Sequence, residues 1–236
     1  MATAKRSYVP LEQRRSELVE TAVRVMAWDG AWALTTRAVA AEAGAPHGTV
    51  HYAFSSKGEL LRAVLRRDLN GFAALIETAR DGAGDDSAGD SDMGASDARD
   101  SDGSDAVGRT TGDDGHSDAR TALTALFMAY ADHVIAAPDT ETAYFEVSLM
   151  ASRDAELRAL VQETEAEYAG LFTRYLSDLA LQADGAWETD LRVLTALLQS
   201  TVFGAAISWL EHRDDALFRA VLAEAAARFS RGLLTH

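Results

Sequence analysis

Residues 34–61 read LTTRAVAAEAGAPHGTVHYAFSSKGELL, and this stretch decides the fold. Thr35 or Thr36 can cap a short helix holding Val39, Ala40 and Ala43. Gly44 suits its end, because glycine takes left-handed dihedrals at little cost. A second short helix begins near Pro46. Ser56-Lys57-Gly58-Glu59 has the Ser-x-x-Glu form of a capping box and opens a long helix through Leu60, Leu61, Val64, Leu65, Leu69 and Phe72. Upstream, Pro10 suits a first helical turn, and Leu11, Leu18, Ala22 and Val25 recur at helical spacing until Gly30. Two short helices about a glycine-containing turn form a helix-turn-helix, whose second helix enters the DNA major groove. At roughly 100° per residue, His47, Gly48, His51 and Tyr52 share one face of that helix, while Val50 and Ala53 look the other way. Its outer face is polar and aromatic where a merely structural helix would carry Lys and Glu.

Outside residues 81–119 the chain is rich in Ala, Leu, Glu and Arg, a composition that favours helix. Helical runs are expected over Ala119–Ala137, stopped by Pro138, and over Thr142–Met150, Glu156–Leu181, Glu188–Leu210 and Asp215–Leu234. No period-2 alternation lasts long enough to suggest a sheet. The chain reads as all-α, with an N-terminal helix-turn-helix DNA-binding domain (1–80) and a larger C-terminal helical ligand-binding and dimerisation domain (120–236). Between Leu191 and Leu210, 13 of 20 residues are apolar and lie nearly all round the helix, which therefore needs cover on both sides. The last run is rich in small apolar residues. This pair, about 188–234, is expected to pack on its own domain and on a second subunit, giving a homodimer through a four-helix bundle. Burial of both helices within a monomer is the alternative.

The charge first speaks against a nucleic-acid partner, since a formal −15 at pH 7 repels a polyanion. The total hides three unlike segments: residues 1–80 carry +3, residues 81–119 carry −10 and residues 120–236 carry −8. The middle segment holds 12 Asp, 8 Gly, 6 Ser and 6 Ala in 39 residues, too little apolar surface to offset the entropy of ordering it. It reads as a disordered acidic linker. Such a linker spans roughly 35 Å root-mean-square, so its aspartates could compete with phosphates for the basic reading head; an inert insertion is the default. The absence of cysteine removes thiol catalysis, iron–sulfur clusters and disulfides, and fits a reducing compartment. No N-terminal stretch resembles a signal peptide. The most apolar segments, Ala122–Ala131 and Val202–Leu210, are shorter than the roughly 18–20 residues of a membrane span. A soluble, cytoplasmic protein with no membrane partner is expected.

Leu34-Thr35-Thr36, the Ala40 to Gly44 spacing, Gly48-Thr49-Val50, the aromatic pair Tyr52 and Phe54, and Ser56-Lys57-x-Glu59-Leu60 together resemble the DNA-binding domain of the TetR (tetracycline repressor-like) family of bacterial transcription regulators. The resemblance covers roughly residues 11–70. It implies a homodimer that binds an inverted-repeat operator, most often as a repressor, and releases it when a small molecule enters the C-terminal domain. By the same resemblance, Thr36 contacts a phosphate, Arg37 presents a base-reading side chain and Lys57 grips the backbone. Pro46, His47, Gly48, Thr49, His51 and Tyr52 lie on the recognition helix. His51 stands where the family's pattern has an aromatic residue, a departure that bears on the operator sequence rather than the fold. Phe54 is expected chiefly in the core.

For the effector, Phe127, Tyr130, His133, Tyr144, Met150, Phe172, Tyr175 and Phe203 are the candidate lining residues, with His133, Tyr130 and Tyr144 as polar anchors. Such a site suits a hydrophobic or aromatic ligand. Lys5, Arg6, Arg14 and Arg15 form either a DNA-reaching arm or a solvated basic terminus. No metal or cofactor is expected: His47 and His51 have the i, i+4 spacing of metal ligands but no third ligand at a matching spacing. An enzyme is disfavoured for want of a phosphate loop, nucleophile elbow or His-Glu-x-x-His. A helical dimeric adaptor that binds only protein is the remaining alternative.

Overall fold

The structure is a computed structural model that describes residues 10–85 and 111–235. Among these the order is α1 (Leu11–Asp29), a 3-10 turn (Ala31–Ala33), α2 (Thr36–Glu42), α3 (His47–Ala53), α4 (Lys57–Asp85), α5 (Thr111–Ala136), α6 (Pro138–Ala151), α7 (Ala155–Gln182), β1 (Gly185–Trp187), α8 (Leu191–His212), α9 (Asp215–Ser230) and β2 (Leu233–Thr235). The all-α reading holds, with one small addition. Leu233 and Leu234, expected at the end of a helix, lie instead with Thr235 in a strand that pairs antiparallel with Gly185–Trp187, Ala186 opposite Leu234. Strands of three residues leave no alternation to read. A side chain at Gly185 would strike the Leu234 carbonyl, so the pairing needs glycine there.

Helix ends follow local chemistry. Thr35 caps α2 by accepting the Ala38 N–H at 3.0 Å. Asp190 and Asp214 cap α8 and α9 in the same way. Pro138 ends α5 as expected, and it also starts α6 at once, four residues before the expected Thr142. Proline at the first helical position gives up an N–H that has no intrahelical partner. At the acidic segment, α4 runs to Asp85 and α5 begins at Thr111, so helix enters both ends of 81–119. Residues 86–110 lie outside the described residues, as do Lys5 and Arg6.

The chain forms two compact units whose borders differ from the expected segments 1–80 and 120–236. One takes the residues up to Phe72 together with His133–Tyr168. Its core is Leu18, Met26, Leu34, Val39, Val50, Phe54, Leu60 and Val64, joined by Ala143 and Val147 of α6 and Leu160 of α7. α6 thus shares a core with the helix-turn-helix, because the small Ala143 and the branched Val147 complete that core. The other unit takes Ala73–Asp132 and Ala169 onward. In it the Tyr175 hydroxyl donates to the Ala122 carbonyl at 2.8 Å, the Trp187 indole N–H donates to the Leu176 carbonyl at 2.7 Å, and Trp209 stacks on Phe218 at 5.8 Å.

Among the described residues, α8 is long and apolar enough to cross a membrane by length and composition, with mean hydropathy 1.6 over 18 residues, although Val202–Leu210 alone falls short. One third of that window is buried. Val193, Leu197 and Ile207 on α8, and Leu217 and Val221 on α9, stay exposed.

Candidate nucleic-acid interface

The helix-turn-helix is fixed from within. Val39 and Ala40 of α2 and Val50 and Ala53 of α3 are buried, as is Phe54, which stops α3. With those positions facing in, His47, Gly48, His51 and Tyr52 face solvent, and Tyr52 is 80% exposed. Pro46 is also exposed, and Thr49 is half-buried. The rings of His47 and His51 meet edge to face at 4.4 Å, and His47 Nε2 lies 3.3 Å from the Thr36 hydroxyl. The start of α2 is thereby tied to the first turn of α3.

Arg37 and Lys57 are exposed and, among the described residues, carry no ion pair. Lys57 opens α4 beside a cleft of about 400 Å³ that it shares with Arg62, Glu59, Met150 and Asp154. The capping box forms with a shift of one residue. Glu59 N–H donates to the Ser56 hydroxyl at 3.1 Å, but the Glu59 carboxylate reaches back to Ser55, accepting its N–H and its hydroxyl at 2.7 Å each. Those two bonds, with the Arg15 guanidinium at 3.0 Å, pull the Glu59 carboxyl down to about 2. Glu59 is therefore anionic and its charge is already spent inside the domain.

Arg15 is a correction to the basic arm. Its guanidinium donates to the Ala53 carbonyl and to Glu59, and lies 4.4 Å over the Phe54 ring. It clamps the end of α3 rather than reaching outward. Arg14 pairs with Glu17 at 3.1 Å.

The eight candidate effector residues do not fall in one unit. His133, Tyr144 and Met150 belong to the unit that contains the helix-turn-helix, and Phe127, Tyr130, Phe172, Tyr175 and Phe203 to the other. Phe127, Tyr130, Phe172 and Tyr175 are buried, and Met150 lines the Lys57 cleft. Burial pushes the Tyr144 and Tyr175 hydroxyls well above the ordinary phenol range. The Tyr144 hydroxyl is buried beside the Arg67 guanidinium, which favours its ionised form, and near Asp68, which opposes it.

Asp68 escaped the sequence reading. It lies on the α4 stripe defined by Leu61, Val64, Leu65, Leu69 and Phe72, and an acid at such a position is the signal that finds it. Tyr168 donates its hydroxyl to Asp68. Desolvation raises the Asp68 pKa, opposed by the Tyr168 hydrogen bond and by His133 and Arg67 nearby. Glu146 on α6, which accepts the Ala31 N–H at 2.6 Å, also escaped notice. Among the described residues no three His, Asp or Glu side chains gather as a metal site.

Residues 18–64 match the family model described as bacterial regulatory proteins, tetR family. The chain is 35% identical over 72 residues to the HTH-type nicotine-responsive transcriptional repressor HdnoR of Paenarthrobacter nicotinovorans, a match covering 30% of this chain and 37% of that protein. The chain thus spans little more than a third of that curated relative. The fold is that of solved regulators. A TetR transcription regulator from Haloarcula marismortui ATCC 43049 superposes with TM-score 0.65 at 16% identity, covering 95% of this chain and all of the other. Bacillus subtilis FadR, solved in complex with stearoyl-CoA, superposes with TM-score 0.61 at 15% identity, covering 91% of this chain and 96% of that one.

Proposed function

By its N-terminal domain the chain is a TetR-family regulator of transcription, and from that premise we propose that it represses by binding an inverted-repeat operator as a homodimer. The observation that carries this reading is the outward face of α3. His47, His51 and Tyr52 are exposed on a helix whose other side is locked in the core, flanked by Arg37 and Lys57, which carry no ion pair among the described residues. Arg37 would read guanine through its two-pronged donor set, and Thr36 and Lys57 would hold phosphates. Gly48, which has no side chain and faces open space between Pro46 and Thr49, would let the backbone of α3 approach the groove closely.

The exposed apolar residues Val193, Leu197, Ile207, Leu217 and Val221 on α8 and α9 support a dimer through these helices, which would also account for the hydropathy of α8 without a membrane. Repression by a dimer on chromosomal DNA places the protein in the cytoplasm. Two relatives whose names mention nicotine and stearoyl-CoA respond to or bind small molecules. A small hydrophobic or aromatic effector fits the aromatic residues of this chain. It would act by preferring the state whose two reading heads are wrongly spaced for successive major grooves, about 34–36 Å apart.

Recovery of bound sequences from randomised duplexes at near-physiological salt tests the reading. A palindromic motif with half-sites one helical turn apart supports it. Failure to enrich any sequence with ligand-free protein rejects it in favour of a protein-binding dimer.

A further inference from the structure

The cleft beside Lys57 is a hollow of about 400 Å³ that lies wholly within one compact unit, between the start of α4 and the corner joining α6 and α7. Its floor is apolar: Leu34, Leu61, Val147 and Leu160 are buried, and Met150 and Leu157 are half-buried. Five charged side chains line it, and three of them are matched within the fold. Glu59 is held by Ser55 and Arg15. Asp154 caps α7 by accepting the N–H groups of Glu156 and Leu157 at 2.9 and 3.0 Å. Arg62 faces Glu163 at 3.5 Å. The remaining two are Lys57 and Glu156, one of each sign, and neither makes an ion pair among the described residues. They are neighbours nonetheless. A methyl group on Gly58 would lie 3.8 Å from a Glu156 oxygen, so that acid reaches the first turn of α4, next to Lys57.

Two opposite charges that share one apolar-floored cleft without pairing set the chemistry of an occupant. An apolar carboxylate gains Lys57 and is repelled by Glu156, whereas an apolar amine gains Glu156 and is repelled by Lys57. A molecule carrying both groups meets each with its opposite, while its apolar part covers the floor beneath. An α-amino acid holds an ammonium and a carboxylate on a single carbon, and both are charged at pH 7. We propose that this cleft binds a free α-amino acid with an apolar side chain, its carboxylate on Lys57, its ammonium on Glu156 and its side chain against Leu61, Met150 and Leu157. Of the eight effector candidates Met150 alone lines it, so the site is separate from the aromatic residues. The consequence for DNA rests on the reading above, in which Lys57 holds a phosphate: the bound carboxylate occupies the Lys57 ammonium, so amino acid and operator compete.

The test uses the full-length chain and two matched sets of probes: L-phenylalanine, 3-phenylpropionate and 2-phenylethylamine, and L-leucine, 4-methylpentanoate and 3-methylbutylamine. Calorimetric titration at pH 7 is expected to show at least one of the two amino acids binding about tenfold or more tightly than both the acid and the amine of its set. Lys57→Met is expected to reduce the advantage over the amine below about twofold, and Glu156→Gln the advantage over the acid. Both side chains are exposed, and an unchanged circular dichroism spectrum shows that the variants fold. No binding of either amino acid, an acid or amine that binds as tightly, or a preference that survives both substitutions overturns the inference. A second arm adds the probes to the protein on its recovered operator. Release by the amino acid, weakened in Glu156→Gln, completes the case. Selective binding without release leaves the site standing and overturns its competition with DNA, whereas a protein with no operator but a selective amino-acid site overturns the regulator reading alone.

Discussion

The Glu146 carboxylate on α6 accepts the backbone N–H of Ala31 at 2.6 Å, joining positions 115 apart in sequence at the turn that leads into the helix-turn-helix. The turn is shaped for it. Gly30 has φ +82°, and a side chain there would meet the same carboxylate at 3.1 Å. Glu146→Ala leaves the Ala31 N–H without its acceptor and is expected to cost about 1–3 kcal/mol, measured by urea denaturation. Glu146→Gln keeps an acceptor and is expected to lose less. Gly30→Ala combines a left-handed backbone with the close carboxylate and is expected to cost at least about 1 kcal/mol. Stability unchanged in both Glu146→Ala and Gly30→Ala would remove this contact from the account of how α6 holds the reading head.

Asp68 opposes folding at neutral pH. Its carboxyl is raised by burial, so the folded state binds its proton more tightly than the unfolded chain does. That preference favours the fold below the ordinary carboxylate pKa, about 3.9, and is lost as pH rises through the raised folded value. Asp68→Asn keeps an acceptor for the Tyr168 hydroxyl and discards the charge. It is expected to raise Tm by roughly 2–4 °C at pH 7, with the gain shrinking as the pH approaches 4. A melting series across that range checks it, and a gain independent of pH would assign the effect to packing instead.

Arg37 and Lys57 are expected to separate when assayed on operator and on random DNA. Arg37→Ala lowers discrimination between them by about 1–3 kcal/mol, because a base contact is lost on one DNA only. Lys57→Ala weakens both and reduces the slope of log affinity against log salt by about one. Fluorescence anisotropy at several salt concentrations reads both quantities. Equal losses on the two DNAs for Arg37→Ala would refute base reading by that side chain.

Leu197 on α8 and Val221 on α9 are 51% and 42% exposed in the single chain. Leu197→Glu and Val221→Glu each place a charge in the face proposed for dimer contact, so sedimentation is expected to show dissociation to monomer at micromolar concentration while helicity is kept. A dimer that persists in both variants would locate the interface elsewhere.

The helix-turn-helix was legible because every local signal there agrees: the Thr35 cap, Gly44 at φ +57°, the inward Val39 and Val50, and Ser56 at the start of α4. The exposed recognition face followed from the same periodicity. What stayed hidden depends on contacts between distant positions. Arg15 reads as one more basic terminal residue until Ala53, Glu59 and Phe54 are seen around it. The kinship of α6 with the N-terminal unit rests on Ala143 and Val147, which carry no mark in sequence of the core they enter. Aromatic residues at helical spacing look alike whether they fill a core or line a site, and the eight effector candidates divide accordingly between two units. Asp68 was readable in principle as an acid on an apolar stripe, but its partner, the Tyr168 hydroxyl 100 positions away, was not.

The central claim is that the outer face of α3 reads DNA. The most direct measurement selects randomised duplexes in parallel with the wild-type chain and with a His47→Ala, His51→Ala, Tyr52→Ala variant. These three side chains are exposed, so the variant is expected to fold and to keep its Tm within a few degrees. The account predicts a palindromic motif from the wild type, with half-site centres about 10 base pairs apart, and no such motif from the variant. The same palindrome recovered by both, or none recovered by the wild type, would contradict it.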